Sequence, residues 1–264
     1  MGITLYKNAD WILTVNEKRE KFRHGDLLIS GKEILDVGND LEKKYAGKLQ
    51  IDKTIDAKGT VILPGFVNIH HHTWQSLIRN IQATRGLKLE PWLTVMYEIY
   101  KDLNTDVARA GVYSGLGDML KTGCTTSNDL WYLVDAEIQA AAEIGIRFHP
   151  TRGFHSVPSD IVPPEVVDTK ESVTEDTIRL VKKYHDRSRF SMCQVGIAPS
   201  IAQYETEDII EAVVDLAEEY DIMVHGHLAE SQHEVEYTLK TWGCRPFEWF
   251  KRHRLLGKRF YFAH

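Results

Sequence analysis

The sequence predicts an α/β chain whose larger part is a (β/α)8 TIM-type barrel. Three observations carry this. From residue 61 onward, apolar strand-like runs alternate with helix-like periodicity, which implies a parallel sheet with helices outside it. The number of repeated units favours a barrel over a doubly wound sheet. The glycine-rich phosphate loop that would favour a doubly wound sheet is absent, since Gly115-Leu116-Gly117-Asp118-Met119-Leu120 lacks the third glycine.

The elements follow in order. Residues 1–60 read as short strands and turns. Leu27-Leu28-Ile29-Ser30, Gly31-Lys32 and Glu33-Ile34-Leu35-Asp36-Val37 make a hairpin. Val61-Ile62-Leu63 leads through Pro64-Gly65 into Phe66-Val67-Asn68-Ile69-His70, a buried parallel strand. Residues 105–122 are helical, with Thr105 as N-cap, apolar residues at helical spacing, and Gly123 as the stop. Residues 124–127 form the second strand, 135–144 a helix ended by Gly145, and 146–149 the third strand. A polar loop spans 151–172. A helix at 174–186 precedes the fourth strand, 194–198. Thr206 caps an acidic-start helix reaching Tyr220. The fifth strand is 222–227, helices occupy 231–241 and 246–252, and the sixth strand is 259–264. The sixth strand is the last one read and a closed barrel needs two more units, so the chain is expected to be a truncated piece of a barrel or not a barrel at all.

Composition narrows the function classes. The 264 residues are 43% hydrophobic and 27% charged, which excludes a disordered or collagenous chain. The net charge of −6 gives no global attraction to nucleic acid or anionic membrane. No apolar run approaches the ~18 residues of a membrane helix, and no signal peptide or myristoylation pattern is read at the start. Cys124, Cys193 and Cys244 are odd in number and form no CxxC, so a reduced, cytoplasmic protein is expected.

Three strand ends carry histidines. In His70-His71-His72, alternation puts His70 and His72 on one face, where two imidazoles can chelate one ion. The competing reading is a surface histidine cluster. In His225-Gly226-His227-Leu228-Ala229-Glu230, two histidines again share a face, and Glu230 can move a proton between water and substrate. The competing reading is a core histidine and a helix-start glutamate. His264 ends the sixth strand. All three groups fall at strand C-termini, where barrel active sites lie. Other signatures fail: His233-Glu234-Val235-Glu236-Tyr237 lacks the second histidine of HExxH, and no PCxxC, Walker A or GxSxG is present.

Leu63-Pro64-Gly65-Phe66-Val67-Asn68-Ile69-His70-His71-His72 resembles the PGFVNxHxH signature of the amidohydrolase superfamily. His227-Leu228-Ala229-Glu230 resembles its HxxE element, and Phe262-Ala263-His264 its sixth-strand histidine. The resemblance covers essentially the whole chain. Residues 1–60 match part of the flanking small β-sandwich, and 61–264 match an incomplete metal-dependent barrel. Within the superfamily, the chain looks most like the 8-oxoguanine deaminase and hydroxyatrazine/atrazine hydrolase group. His70 through Arg79, Pro91-Trp92-Leu93, Gly145 through Gly153 and Gly243-Cys244-Arg245-Pro246 carry this.

The resemblance implies one divalent metal, usually Zn²⁺ with Fe²⁺ or Mn²⁺ as alternatives. His70, His72 and His227 would be ligands, with a fourth from an eighth-strand Asp. It implies catalytic roles for Glu230, which would protonate the ring nitrogen and leaving amine, and for His264, beside the metal-bound water. Hydroxide on the metal would attack an amidine-like ring carbon and ammonia would leave. This is hydrolysis of a C–N bond other than a peptide, on an 8-oxoguanine-like purine or a pterin. Gln75 matches a substrate-side polar position. Trp92 is a stacking wall or core packing. Arg152, placed just after the third strand, either recognises a ring carbonyl or makes a loop salt bridge. His225 is packed or supports a ligand. The implied partner is a small heterocycle, with no nucleic acid or membrane, and the full-length parent is expected to be a homo-oligomer.

The departures shape the expectation. The eighth-strand Asp is missing, and a six-stranded partial barrel has an unpaired edge, so the 264-residue chain alone is expected to be inactive or poorly folded. The loops at 154–169 and 128–132 depart from the group, which leaves the ring open. The alternatives are a triazine hydrolase expelling chloride or an alkylamine, and a non-catalytic fragment keeping the histidines as a relic.

Overall fold

Residues 2–201 and 204–264 are described by the computed structural model of the chain. Contacts divide it into a unit ending at Gly65 and a unit running from Phe66 to His264. In the first unit, β1 (Ile3–Leu13), β2 (Lys21–Ser30) and β3 (Glu33–Gly38) form an antiparallel meander. The hairpin turns at residues 31–32, as its sequence requires. A short helix, α1 (Leu41–Tyr45), precedes β4 (Lys53–Asp56) and β5 (Val61–Ile62), both parallel to β1. Leu5, Leu28 and Leu41 form one small core. Buried Asp26 accepts hydrogen bonds from the backbone N–H of Asn8 and Leu41. Val61 and Ile62, read from sequence as the lead-in to the barrel, instead pair with Trp11 and Ile12.

The second unit is built on six parallel strands: β6 (Phe66–Asn68), β7 (Cys124–Trp131), β8 (Arg147–Phe154), β9 (Gly196–Pro199), β10 (Val224–His227) and β11 (Phe260–Ala263). Their order in the sheet is their order in sequence. A doubly wound sheet reverses direction at a switch point, and none occurs here. Four strand spacings of about 4.8 Å would hold β6 and β10 roughly 19 Å apart in a flat sheet. Yet His70 Nδ1, just past β6, lies 2.7 Å from His225 Nε2 on β10. The sheet is therefore curled, and these are six consecutive strands of a (β/α)8 barrel.

The helices are α2 (Leu89–Tyr100), α3 (Thr105–Lys121), α4 (Val134–Ile144), α5 (Lys170–Tyr184), α6 (Glu207–Tyr220), α7 (Gln232–Trp242) and α8 (Pro246–Arg252). Apolar stripes bury them against the strands: Ile209, Ile210, Val213, Val214 and Ala217 of α6 join Ile197 and Val224 in one core. Asn104, and not Thr105, caps α3, its Oδ1 accepting from the Val107 N–H at 3.0 Å. α5 starts earlier than the periodicity suggests because Thr169 and Ser172 cap each other's backbone. Thr206 occupies the cap position of α6 without a side-chain cap bond. β7 and β8 run on to Trp131 and Phe154, since their pairing continues to Trp131 opposite Arg152.

One close approach positions the site. The 3-10 turn Thr73–Ile78, directly after the histidine triplet, nests on α3. A Cβ at Gly111 would lie 2.5 Å from the Trp74 carbonyl oxygen and 2.7 Å from its Cα. Neither backbone atom can yield locally. Gly111→Ala is expected to cost about 1–3 kcal/mol through overpacking, seen as a lowered midpoint in urea denaturation.

Candidate metal centre and its cavity

The chemistry-bearing side chains gather where the C-terminal ends of β6, β10 and β11 meet. β6 stops at Asn68, whose side-chain oxygen accepts from the His70 N–H, so His70 and His72 ride on the segment after the strand. That segment is pinned to β7. The His71 carbonyl accepts from the Leu130 N–H, and Asp129 accepts from both the N–H and the hydroxyl of Thr73.

His72 Nδ1 donates to the Leu130 carbonyl at 2.9 Å, and His227 Nδ1 donates to the Ser200 carbonyl at 2.9 Å. With both protons committed outward, both Nε2 lone pairs point inward, and these two atoms are 3.3 Å apart. Neither can donate to the other. Nitrogens bound at about 2.0–2.1 Å to one tetrahedral zinc are separated by roughly 3.3–3.4 Å, so a divalent cation fits this donor pair. Ligand atoms of His70, His227 and His264 also lie within 4.8 Å of one another. His264, expected beside rather than within the ligand set, falls in this group, whereas His72 joins it through His227.

The electrostatics suit metal binding. Burial, reinforced by neighbouring imidazoles, lowers His70 to about 3 and His227 well below its ordinary value. Burial likewise brings His72 down to about 4. The rings are therefore neutral near pH 7, the form that ligates a metal.

Glu230 stands next to this cluster, with Oε1 3.4 Å from His264 Nε2. Ala229 has φ of 58°, a left-handed conformation that turns the chain between His227 and Glu230. The Glu230 N–H donates to Glu234 at 2.9 Å, and Ser231 caps α7 behind it. Burial, with Glu90 adding like charge, raises the Glu230 carboxyl to about 7.

A cavity of about 190 Å³ opens onto His70, His72, His227, His264 and Glu230, and Gln75 and Trp92 also line it, Trp92 packing against a hydrophobic core as well. Both also border an adjoining recess of about 560 Å³. The far wall is aromatic and apolar, from Met96 and Tyr97 of α2 and Trp131 and Tyr132 at the end of β7. Sequence reasoning took Trp131 and Tyr132 as a loop bordering the substrate and missed the α2 part of this wall. The spacing of Leu93, Met96, Tyr97 and Tyr100 was its signal.

Arg152 is placed differently from its expected substrate role. It lies within β8 and lines neither cavity. Its guanidinium donates to Asp168 and Asp176 at 2.8 Å each, and sits 5.7 Å over the ring of Tyr132. Of its two readings, the geometry matches the ion pair. Arg152→Met is expected to destabilise the protein by about 3–5 kcal/mol, because it strands a partly buried carboxylate. Urea denaturation measures this.

The profile of the amidohydrolase family matches residues 61–264. This chain belongs to the amidohydrolase family. It is 31% identical over 220 residues to the 8-oxoguanine deaminase of Pseudomonas aeruginosa, covering 79% of this chain and 49% of that protein. It is 27% identical over 282 residues to the hydroxydechloroatrazine ethylaminohydrolase of Pseudomonas sp. (strain ADP), covering 100% and 58%. The chain spans about half the length of these relatives. Among solved structures, the zinc complex of an atrazine chlorohydrolase from Arthrobacter aurescens superposes with a TM-score of 0.88 at 24% identity, covering 99% of this chain and 60% of that one. The guanine deaminase of E. coli gives 0.81 at 21% identity, covering 100% and 62%. At these identities the likeness shows the amidohydrolase fold. No helix among the described residues is long and apolar enough to cross a membrane.

Proposed function

We propose that the full-length protein carrying this amidohydrolase chain is a metal-dependent aminohydrolase that removes the amino group of an 8-oxoguanine-like purine or a pterin as ammonia. The observation that carries this is the inward pair of His72 and His227 Nε2 atoms at 3.3 Å, in one cavity with Glu230. His70, His72 and His227 would hold one divalent ion, Zn²⁺ before Fe²⁺ or Mn²⁺. Similarity in fold to a zinc-complexed hydrolase supports that order. When bound, such an ion supplies the Lewis acidity that makes water a nucleophile at neutral pH.

The chain's own residues do the rest. Glu230, poised between its two protonation states near pH 7, gives a proton to the ring nitrogen, takes one back from the attacking water, and passes it to the departing amine. His264, 3.4 Å from that carboxyl, would also stand beside the attacking water. Trp92 and the aromatic wall stack a planar ring and exclude water, and Gln75 hydrogen-bonds its edge. In sum, water replaces the amino group on carbon and ammonia departs. We read the unit ending at Gly65, rather than the 1–60 expected from sequence, as the N-terminal part of a small β-sandwich, and the unit from Phe66 to His264 as the metal-dependent barrel. The same reading takes the enzyme as a cytoplasmic homo-oligomer, supported by family likeness and three free cysteines.

The similarity to an ethylaminohydrolase over all of this chain favours a second reading, loss of an alkylamine or chloride from an s-triazine. A panel of 8-oxoguanine, guanine, pterin, hydroxyatrazine and atrazine, scored for ammonia, alkylamine and chloride, separates the two. Ammonia from a purine or pterin is the expected product. Turnover of triazines alone would transfer the proposal to the second reading, and turnover of nothing would favour the relic.

A further inference from the structure

The histidines around the centre differ in what fixes them. For His72 and His227 the outer acceptor is a backbone carbonyl, which no substitution at the acceptor position removes. For His70 the outer partner is a side chain: His70 Nδ1 lies 2.7 Å from His225 Nε2. On its far side, His225 Nδ1 lies 3.0 Å from the Tyr261 carbonyl oxygen. A carbonyl only accepts, so the His225 proton is on Nδ1, and a neutral imidazole protonated there accepts at Nε2. The proton between the two rings therefore belongs to His70 Nδ1. This leaves the His70 lone pair on Nε2, matching His72 and His227.

His225 is built into place for this. It is fully buried and stacked on the Tyr261 ring, with centroids 4.4 Å apart and planes inclined by 16°. The Tyr261 hydroxyl is itself held by Asn128 Nδ2 at 2.7 Å and His149 Nδ1 at 2.9 Å. The next residue is Gly226, where a Cβ would lie 2.6 Å from the Pro199 carbonyl oxygen, so β9 and β10 lock the backbone.

We propose that His225 is a positioning residue that fixes His70 in its Nδ1-protonated tautomer and thereby sets the affinity of the centre for a divalent cation. It does not ligate, because His70 occupies its lone pair. This inference rests on the metal reading above.

The test compares Zn²⁺ affinity, by chelator competition, in the full-length wild type and its His225→Phe and His225→Gln variants. Thermal unfolding of the metal-free forms is followed alongside. His225→Phe keeps a ring on Tyr261 but removes the acceptor, and should weaken Zn²⁺ binding roughly 10–100-fold. The Gln side-chain oxygen can accept, so His225→Gln should recover affinity to within a few-fold of wild type. If His225→Phe does not fold, His225→Met replaces it in the same comparison. A folded Phe or Met variant binding Zn²⁺ within twofold of wild type overturns the proposal and leaves the metal reading intact. Failure of the wild type to bind Zn²⁺ overturns both.

Discussion

Glu230→Gln in the full-length protein is expected to lower kcat for ammonia release by about 10²–10⁴-fold, the range for loss of a positioned proton donor, with metal content unchanged. Glutamine preserves the shape of the site but cannot donate an acidic proton. Burial disfavours the carboxylate and raises the group to about 7, so the acid form is populated at neutrality. The sign follows: donation to the leaving amine needs the protonated form, so kcat should fall as pH rises through about 7. That alkaline limb should vanish from the residual activity of the variant. A pH profile of both proteins, read with their metal content, checks the two effects together.

His227→Ala is expected to abolish both metal binding and turnover. His227 contributes one of the two nitrogens that face each other at 3.3 Å, and its ring also stacks on His264 at 5.5 Å. Removing it opens the donor set and unsettles its neighbour. The loss of affinity should exceed the roughly 10–100-fold typical of an outer partner. A folded-state ligand present at about 1,000 times its Kd stabilises by about 4 kcal/mol. The wild-type melting temperature should therefore rise with added Zn²⁺ while that of His227→Ala stays flat. Thermal scans across a zinc titration give the comparison.

Much of this site was legible in the sequence because its parts are local. The HxH reading relied on strand alternation, yet β6 ends at Asn68, and the Asn68 and Asp129 side chains hold the segment that carries both imidazoles. The HxxE spacing brings Glu230 back to the centre through one left-handed residue, Ala229. The cavity walls were less legible. α2 starts after Lys88 without a side-chain cap, so the usual capping residue that marks a helix start is absent. The end of β7 was hidden because Asn128 and Asp129 interrupt the apolar pattern. Both are buried, and long-range partners hold them: His149 and Tyr261 for Asn128, Thr73 for Asp129. The choice between the two readings of Arg152 was open for the same reason. Its partners Asp168 and Asp176 lie 16 and 24 residues along the chain, beyond any periodic signal.

The most direct test of the account is the ammonia released per mole of heterocycle consumed by the full-length protein, measured as purified, after chelation, and after Zn²⁺ is restored. The account predicts one ammonia per ring before chelation, almost none after it, and recovery with the metal. Undiminished turnover in the chelated protein, or hydrolysis without ammonia, would contradict it.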